Sequence, residues 1–350
     1  MNSEFKPATI YDIAQLVKLT PTTVSRVLNN KGYISESTRN KVLKAARDLN
    51  YQPNQVARSL KTSATKQIML AVPFIREVFN FDMIAAVQSV VQDNNYSLIL
   101  CYTEAKEKEE LKVLDNLLKN YADGLILTTI DVSDKIIKKI SQIRKPCVLS
   151  CFSKYDNDSI PFDYVGVDTR KGIYLAAKHL IAQGHASISY IGPSLRTLEG
   201  HERYKGFCLA MEESGLNIDP GLVMVGEHNE LFGYESGKAL LQLKRLPTAI
   251  CAGTDLIVLG LYRAFEQNQI CVPEQISITG MDNIDICNLV KPKISSVSIA
   301  QEEIGRCAAN ILFERLKNIE LKDYKNITFE PRLVIRESSV NFKTVLHRTP

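Results

Sequence analysis

Apolar residues near the start of the chain recur at helical spacing. Ile10, Ile13, Ala14 and Val17 fall at i, i+3, i+4 and i+7, one face of a short helix that Thr9 can cap. Lys18-Leu19 reads as a tight turn, with Thr20 as the next cap and Pro21 at the first helical position. The second helix, predicted over 21–29, turns Val24, Val27 and Leu28 inward and Thr22, Thr23, Ser25 and Arg26 outward. Asn29-Asn30-Lys31-Gly32 breaks it. Ser35 then caps a third helix through Leu49, with Val42, Ala46 and Leu49 inward and Arg39, Lys41, Lys44 and Arg47 outward.

From Ile68 the pattern changes. Strand-like runs are expected over 68–72, 97–101, 124–128, 147–150, 164–167, 188–191, 222–225, 249–252 and 276–279. Helical stretches lie between most of them, such as 111–119, 172–183, 203–214 and 256–268. This alternation predicts parallel sheets with helices on both faces. The strands are too many for one such sheet, so two lobes are expected. Ligands of open parallel sheets bind beyond the carboxyl ends of the strands, here in the cleft between the lobes.

Two short helices joined by a tight turn, the second exposing hydroxyls and a guanidinium, form a helix-turn-helix pattern. Such groups can hydrogen-bond base edges in a major groove, and Arg suits the paired acceptors of guanine. An ordinary three-helix bundle with a wet face has the same spacing. Charge sharpens the picture: residues 1–66 hold 11 Lys and Arg against 4 Asp and Glu, leaving 32 against 35 for the rest. A basic head on a mildly acidic body suits a polyanionic partner, although a solvated Lys-rich domain or an anionic membrane surface fits charge alone.

The literal strings go further. Thr9-Ile10-Tyr11-Asp12-Ile13-Ala14, Thr23-Val24-Ser25-Arg26-Val27-Leu28-Asn29, Ser37-Thr38-Arg39-Asn40-Lys41-Val42 and Leu49-Asn50-Tyr51-Gln52-Pro53-Asn54 occur in order. They closely resemble the DNA-binding head of the lactose-repressor/galactose-repressor (LacI/GalR) family of transcription factors. The resemblance runs over roughly residues 9–338, through Val165-Gly166-Val167-Asp168, Tyr190-Ile191-Gly192-Pro193, Arg203-Tyr204-Lys205-Gly206-Phe207, Thr254-Asp255 and Gly280-Met281-Asp282-Asn283. It implies a small all-α helix-turn-helix head plus an α/β body of two Rossmann-like lobes of the periplasmic-binding-protein type. In the turn, where the family often has Gly, this chain has Lys18. A non-Gly residue in a left-handed turn costs about 1 kcal/mol, which a packed domain tolerates.

The resemblance also implies roles. A dimer on a palindromic double-stranded operator would use Thr9, Tyr11, Thr20, Pro21, Thr22, Thr23, Ser25, Arg26, Asn29, Tyr33, Ser35 and Thr38. Asn54 to Leu60 matches a hinge helix that folds on DNA, with Asn54, Ala57 and Leu60 as contacts and Leu60 as the minor-groove wedge. Seven residues are too few to hold a helix alone in water, so a frayed linker is the simpler alternative. In the body, Arg203, Thr254 and Asp282 match residues that bind effector hydroxyls, and Phe79 and Asn80 match first-lobe residues facing the ligand. Carboxylates and a guanidinium around one cleft suit a sugar. Glu199, His201 and Gln301 are further candidates; for each, a helix cap or an interlobe salt bridge is the alternative.

The expected organisation is a DNA-binding head over 1–53, a hinge and linker over 54–66, an effector-binding body over 67–340 and a tail over 341–350. Within the body, 67–166 with 297–326 would form one lobe and 167–296 with 327–340 the other. A composition of 45% hydrophobic and 23% charged residues excludes a disordered chain. The start lacks an apolar signal segment and no run approaches the ~20 residues of a membrane span, so a cytoplasmic protein is expected. The eight cysteines lie mostly in apolar strings and read as buried thiols. His spacing suggests no metal, no cofactor motif is found, and Lys106–Glu110 and Lys135–Lys139 read as solvated helix faces. Without a leucine heptad after Arg336, a homodimer is expected. The expected function is a non-enzymatic repressor of a sugar operon controlled by a small effector. The alternative is a global carbon-catabolite regulator with a phosphorylated carrier protein as co-repressor.

Overall fold

The computed structural model describes residues 8–52, 64–74, 81–151, 162–318 and 323–340. Backbone contacts divide the chain into two units, Met1–Thr65 and Lys66–Pro350.

In the first unit, α1 (Ile10–Val17), α2 (Pro21–Leu28) and α3 (Glu36–Asp48) enclose a core of Ile13, Ala14, Val17, Val24, Val27, Val42 and Ala45. The inward residue of α3 is Ala45, with Ala46 and Leu49 only partly buried, because three residues from Val42 is nearer the centre of the packed stripe. Each start is capped as its sequence suggests. Thr9 and Asp12 form a reciprocal box, with Thr9 N–H donating to Asp12 Oδ2 at 2.7 Å. Thr20 accepts from Thr23 N–H at 3.2 Å, and Ser35 from Thr38 N–H at 3.3 Å. The helix-turn-helix corner is made by Lys18, left-handed at φ 54°, after which Leu19 N–H reaches back to Ala14 C=O at 3.0 Å.

The second unit holds two six-stranded sheets. The first contains β1 (Gln67–Val72), β2 (Ser97–Tyr102), β3 (Gly124–Thr129), β4 (Cys147–Cys151), β5 (Asp163–Val167) and, returning late, β11 (Asn326–Phe329). Its order is β11-β5-β4-β3-β1-β2 and every pairing is parallel. The second contains β6 (Ile188–Pro193), β7 (Val223–Gly226), β8 (Ala249–Ala252), β9 (Ser277–Asp282), β10 (Ser295–Ser298) and β12 (Arg332–Val334), in the order β12-β10-β9-β8-β6-β7. Only β12 runs antiparallel. The central strands are apolar without alternation, as burial on both faces requires; β1 shows only Gln67 partly exposed and β3 is wholly buried.

Helices cover both faces. On the first sheet, α5 (Glu107–Leu118) and α6 (Asp134–Ser141) close one side, and α4 (Phe81–Asp93) with α11 (Gln301–Lys317) the other. On the second, α7 (Thr169–Ala182) and α8 (Leu198–Glu213) pack opposite α9 (Glu230–Leu241) and α10 (Asp255–Gln267). Asp163 at the start of β5 takes Arg315 of α11 in two bonds of 2.7 Å each, and Lys325 N–H at 2.9 Å. This buried fork ties the returning chain to the first sheet.

Three differences from the sequence reading have physical causes. The short strands β10, β11 and β12 carry no clear alternation and take their form from the sheet edges that they pair with. Consequently the lobe exchanges expected at 296/297 and 326/327 fall later: β10 belongs wholly to the second sheet and β11 wholly to the first. Within the expected solvated face at Lys106–Glu110, Glu110 is buried, and burial pushes its carboxyl up to about 6. No helix among the described residues is long and apolar enough to cross a membrane.

Candidate functional site

The carboxyl ends of four second-sheet strands converge on one buried charge cluster. After β6, Thr197 caps α8 by accepting from Gly200 N–H at 3.1 Å. Glu199 and Arg203 then lie one turn apart on the same helical face. Arg203, only 1% exposed, makes an ion pair to Glu199 Oε1, donates to the Gly253 carbonyl after β8, and lies 3.4 Å from Asp282 Oδ1 at the end of β9. Burial works to lower the Arg203 pKa; Glu199 and Asp282 outweigh it and hold the guanidinium charged.

Past β7, His228 places Nε2 3.9 Å from Glu199 Oε2. Its ring centroid is 6.2 Å from that of Phe74, which follows β1 of the first sheet. The cluster therefore faces the junction between the lobes. Burial lowers the His228 pKa against the pull of Glu199, so the imidazole is neutral near pH 7.

Asp282 sits at φ 112°, a conformation that L residues rarely adopt, followed by Asn283 at φ 53°. Buried Asp255, the first residue of α10, fixes this turn. Its Oδ2 accepts Ile284 N–H at 3.0 Å and its Oδ1 accepts Ser296 Oγ–H at 2.6 Å. Ser296 Oγ in turn accepts Asn283 N–H at 3.0 Å, and Arg336 donates to Asn283 Oδ1 at 2.8 Å. Burial pushes the Asp255 carboxyl up to about 6, opposed by the hydrogen bonds from Ser296, Cys287 and the backbone. Gly280 leaves the space for this carboxylate, which a Cβ there would overlap.

Of the effector candidates, Arg203, Asp282 and Glu199 come together. Thr254 is buried beside them as the cap of α10, accepting Ile257 N–H at 3.2 Å. His201 is exposed on α8, and Gln301 begins α11. Phe79 and Asn80 lie outside the described residues, as do Asn54, Ala57 and Leu60. Asp255, which as a strand-end carboxylate suits a ligand contact, instead bonds the turn after β9, and His228, Phe74, Ser296 and Arg336 were not singled out from the sequence for a role in the site. The rule that sites gather beyond strand ends could have found His228 and Phe74, placed just after β7 and β1.

On the head, Thr22 and Arg26 of α2 and Asn29 just after it are exposed, and Thr23 and Ser25 are partly so. Asn29 Nδ2 donates to the Ser25 carbonyl at 2.8 Å. Tyr11 and Tyr33 are 73% and 102% exposed, solvent-facing aromatics that the packing of the head does not use. Thr9, Thr20, Ser35 and Thr38 are engaged in the caps, and Pro21 opens α2. Seven cysteines, Cys101, Cys147, Cys208, Cys251, Cys271, Cys287 and Cys307, are free thiols. Among the described residues no group of three His, Cys, Asp or Glu is arranged to hold a metal ion.

Residues 9–54 match the family described as bacterial regulatory proteins, lacI family, and residues 177–339 match a periplasmic binding protein-like domain. The HTH-type transcriptional repressor PurR of Actinobacillus pleuropneumoniae serotype 3 (strain JL03) is 34% identical over 336 residues, 95% of this chain and 99% of the relative. A solved LacI-family transcriptional regulator from Silicibacter pomeroyi superposes with a TM-score of 0.83 at 24% identity, covering 96% of this chain and all (100%) of its own. Another, from Enterococcus faecium with bound ribose, gives 0.68 at 27% identity over 78% of this chain and 98% of its own. The chain belongs to the LacI family, as a DNA-binding transcriptional repressor with a helix-turn-helix head and a two-lobed, periplasmic-binding-protein-like effector-binding body.

Proposed function

We propose that the protein represses a sugar-utilisation operon by gripping a palindromic operator as a homodimer, and that a sugar or sugar derivative in the interlobe cleft sets the strength of that grip. The observation that carries this reading is the buried Arg203–Asp282 pair at the strand ends of the second lobe, with Asp282 held in a strained backbone conformation. Strain of this kind persists where a side chain must be aimed. A carboxylate and a guanidinium side by side match vicinal hydroxyls, which both donate and accept. The ribose bound to the Enterococcus faecium relative supports the same class of ligand.

On the DNA side, the exposed Thr22 and Arg26 of α2 are the base-reading pair, and Tyr11, Tyr33 and Asn29 flank them. The division into a head over 1–53, a hinge over 54–66 and the two-lobed body follows from this reading. Closure of the lobes on a ligand would shift the balance between two arrangements of the dimer and so alter operator affinity.

Selection of bound duplexes from a random library by the purified full-length protein tests the proposal. The expected product is a palindrome whose binding changes when sugars are added. Recovery of no palindromic preference would overturn the operator reading, and a palindrome indifferent to every sugar would overturn the effector reading.

A further inference from the structure

The charge of the effector pocket is unusual for a site expected to hold a ligand through an arginine. One guanidinium faces two carboxylates, Glu199 at 4% and Asp282 at 9% side-chain exposure, and it also donates to the Gly253 carbonyl. Both Nη groups of Arg203 are thus engaged by the protein itself. An incoming phosphate or carboxylate would have to displace an internal carboxylate from the guanidinium and leave it buried without its countercharge.

Two buried atoms of the cluster have no hydrogen-bond partner among the described residues: Glu199 Oε2 and Arg203 Nε. His228 Nε2 lies 3.9 Å from Glu199 Oε2, beyond hydrogen-bond reach. A buried carboxylate oxygen without a donor is costly, and native structures keep such groups where a further partner completes them. Glu199 and Arg203 are on α8 of the second lobe, while Phe74, in ring contact with His228, comes from the first. The vacant acceptor therefore lies on the side where the lobes meet.

The geometry points to an effector that presents an N–H or O–H donor to Glu199 Oε2 and carries no anionic group at that end, an amino sugar being the best fit. This rests on the effector reading above and narrows it to uncharged or cationic, donor-rich ligands. An ammonium would give this carboxylate oxygen a charge-assisted bond, whereas a phosphate at the same place would face the Glu199 carboxylate. Hydroxyls of a neutral sugar satisfy the same oxygen with less attraction.

The test is a thermal-shift and calorimetric comparison on the full-length protein. Its probes are the common hexoses and pentoses, their 2-amino derivatives, their phosphates, and inorganic phosphate, with operator binding followed in parallel. The expected result is that a free or amino sugar binds, its phosphate binds at least about tenfold more weakly, and inorganic phosphate gives no shift. Glu199→Gln is expected to weaken the amine-bearing ligand roughly ten- to hundredfold and to narrow its advantage over the neutral sugar. A phosphate that binds more tightly than its free sugar, or an unchanged amine affinity in Glu199→Gln, overturns the inference. The wild-type comparison stands whatever the substitution does to folding. If a sugar phosphate binds and alters operator affinity, this inference fails and the effector reading survives; if no probe binds at all, both fail.

Discussion

Asp255 and Asp282 lie 27 residues apart, yet the first dictates the backbone of the second: by accepting Ile284 N–H at 3.0 Å and Ser296 Oγ–H at 2.6 Å, Asp255 holds the turn in which Asp282 sits at φ 112°. Asp255 is a positioning residue. Asp255→Ala would leave Ile284 N–H and Ser296 Oγ buried without their acceptor, at a cost of about 2–4 kcal/mol in stability. Effector binding should fall with it, because Asp282 would relax away from Arg203. Thermal unfolding with and without effector checks both parts; a variant that melts lower but binds effector with wild-type affinity would refute the positioning role.

Arg26 is exposed on the second helix of the head, between Ser25 and Val27. Arg26→Ala should cost about 1–3 kcal/mol on the operator while weakening random duplex far less, since a base-edge contact discriminates and a phosphate contact does not. Competition titrations of operator against random DNA measure the ratio. An unchanged ratio would remove Arg26 from the base-reading surface.

Lys18 holds the left-handed corner of the helix-turn-helix at φ 54°. Lys18→Gly should therefore stabilise the head by up to about 1 kcal/mol, less the extra freedom that Gly gives the unfolded chain. Calorimetric melting of the head is the check. Lys18→Val, β-branched at the same φ, should shift the transition the other way.

His185 is buried, its Nδ1 3.0 Å from Thr248 Oγ1, and burial lowers its pKa to about 4. The unfolded chain takes up this proton near pH 6.5 and the folded one only near 4, so the unfolded state binds more protons between them. Stability is complete above pH 6.5 and declines as pH falls towards 4, by up to about 3 kcal/mol from this group. His185→Gln should flatten that part of the profile. An identical slope from pH 7 to 4 in both proteins would show that other groups carry it.

Local chemistry was legible in the sequence. The caps at Thr9, Thr20 and Ser35 each accept from the backbone three residues on, and Pro21 opens α2, so the string alone fixes them. The alternation of apolar runs with amphipathic stretches likewise fixed the parallel, helix-covered architecture, because burial on both faces leaves a compositional trace. Other features were decided only by the tertiary structure. The Asp282 turn depends on Asp255, Ser296 and Arg336, drawn from α10, β10 and the segment after β12. Arg203 could be nominated from its motif, but not its capture by Gly253 and Asp282, which needed separate strand ends brought side by side. The returning strands β10, β11 and β12 were equally hidden, since a short strand inherits its conformation from the edge that it joins. Long-range pairing leaves no period in the chain that makes it.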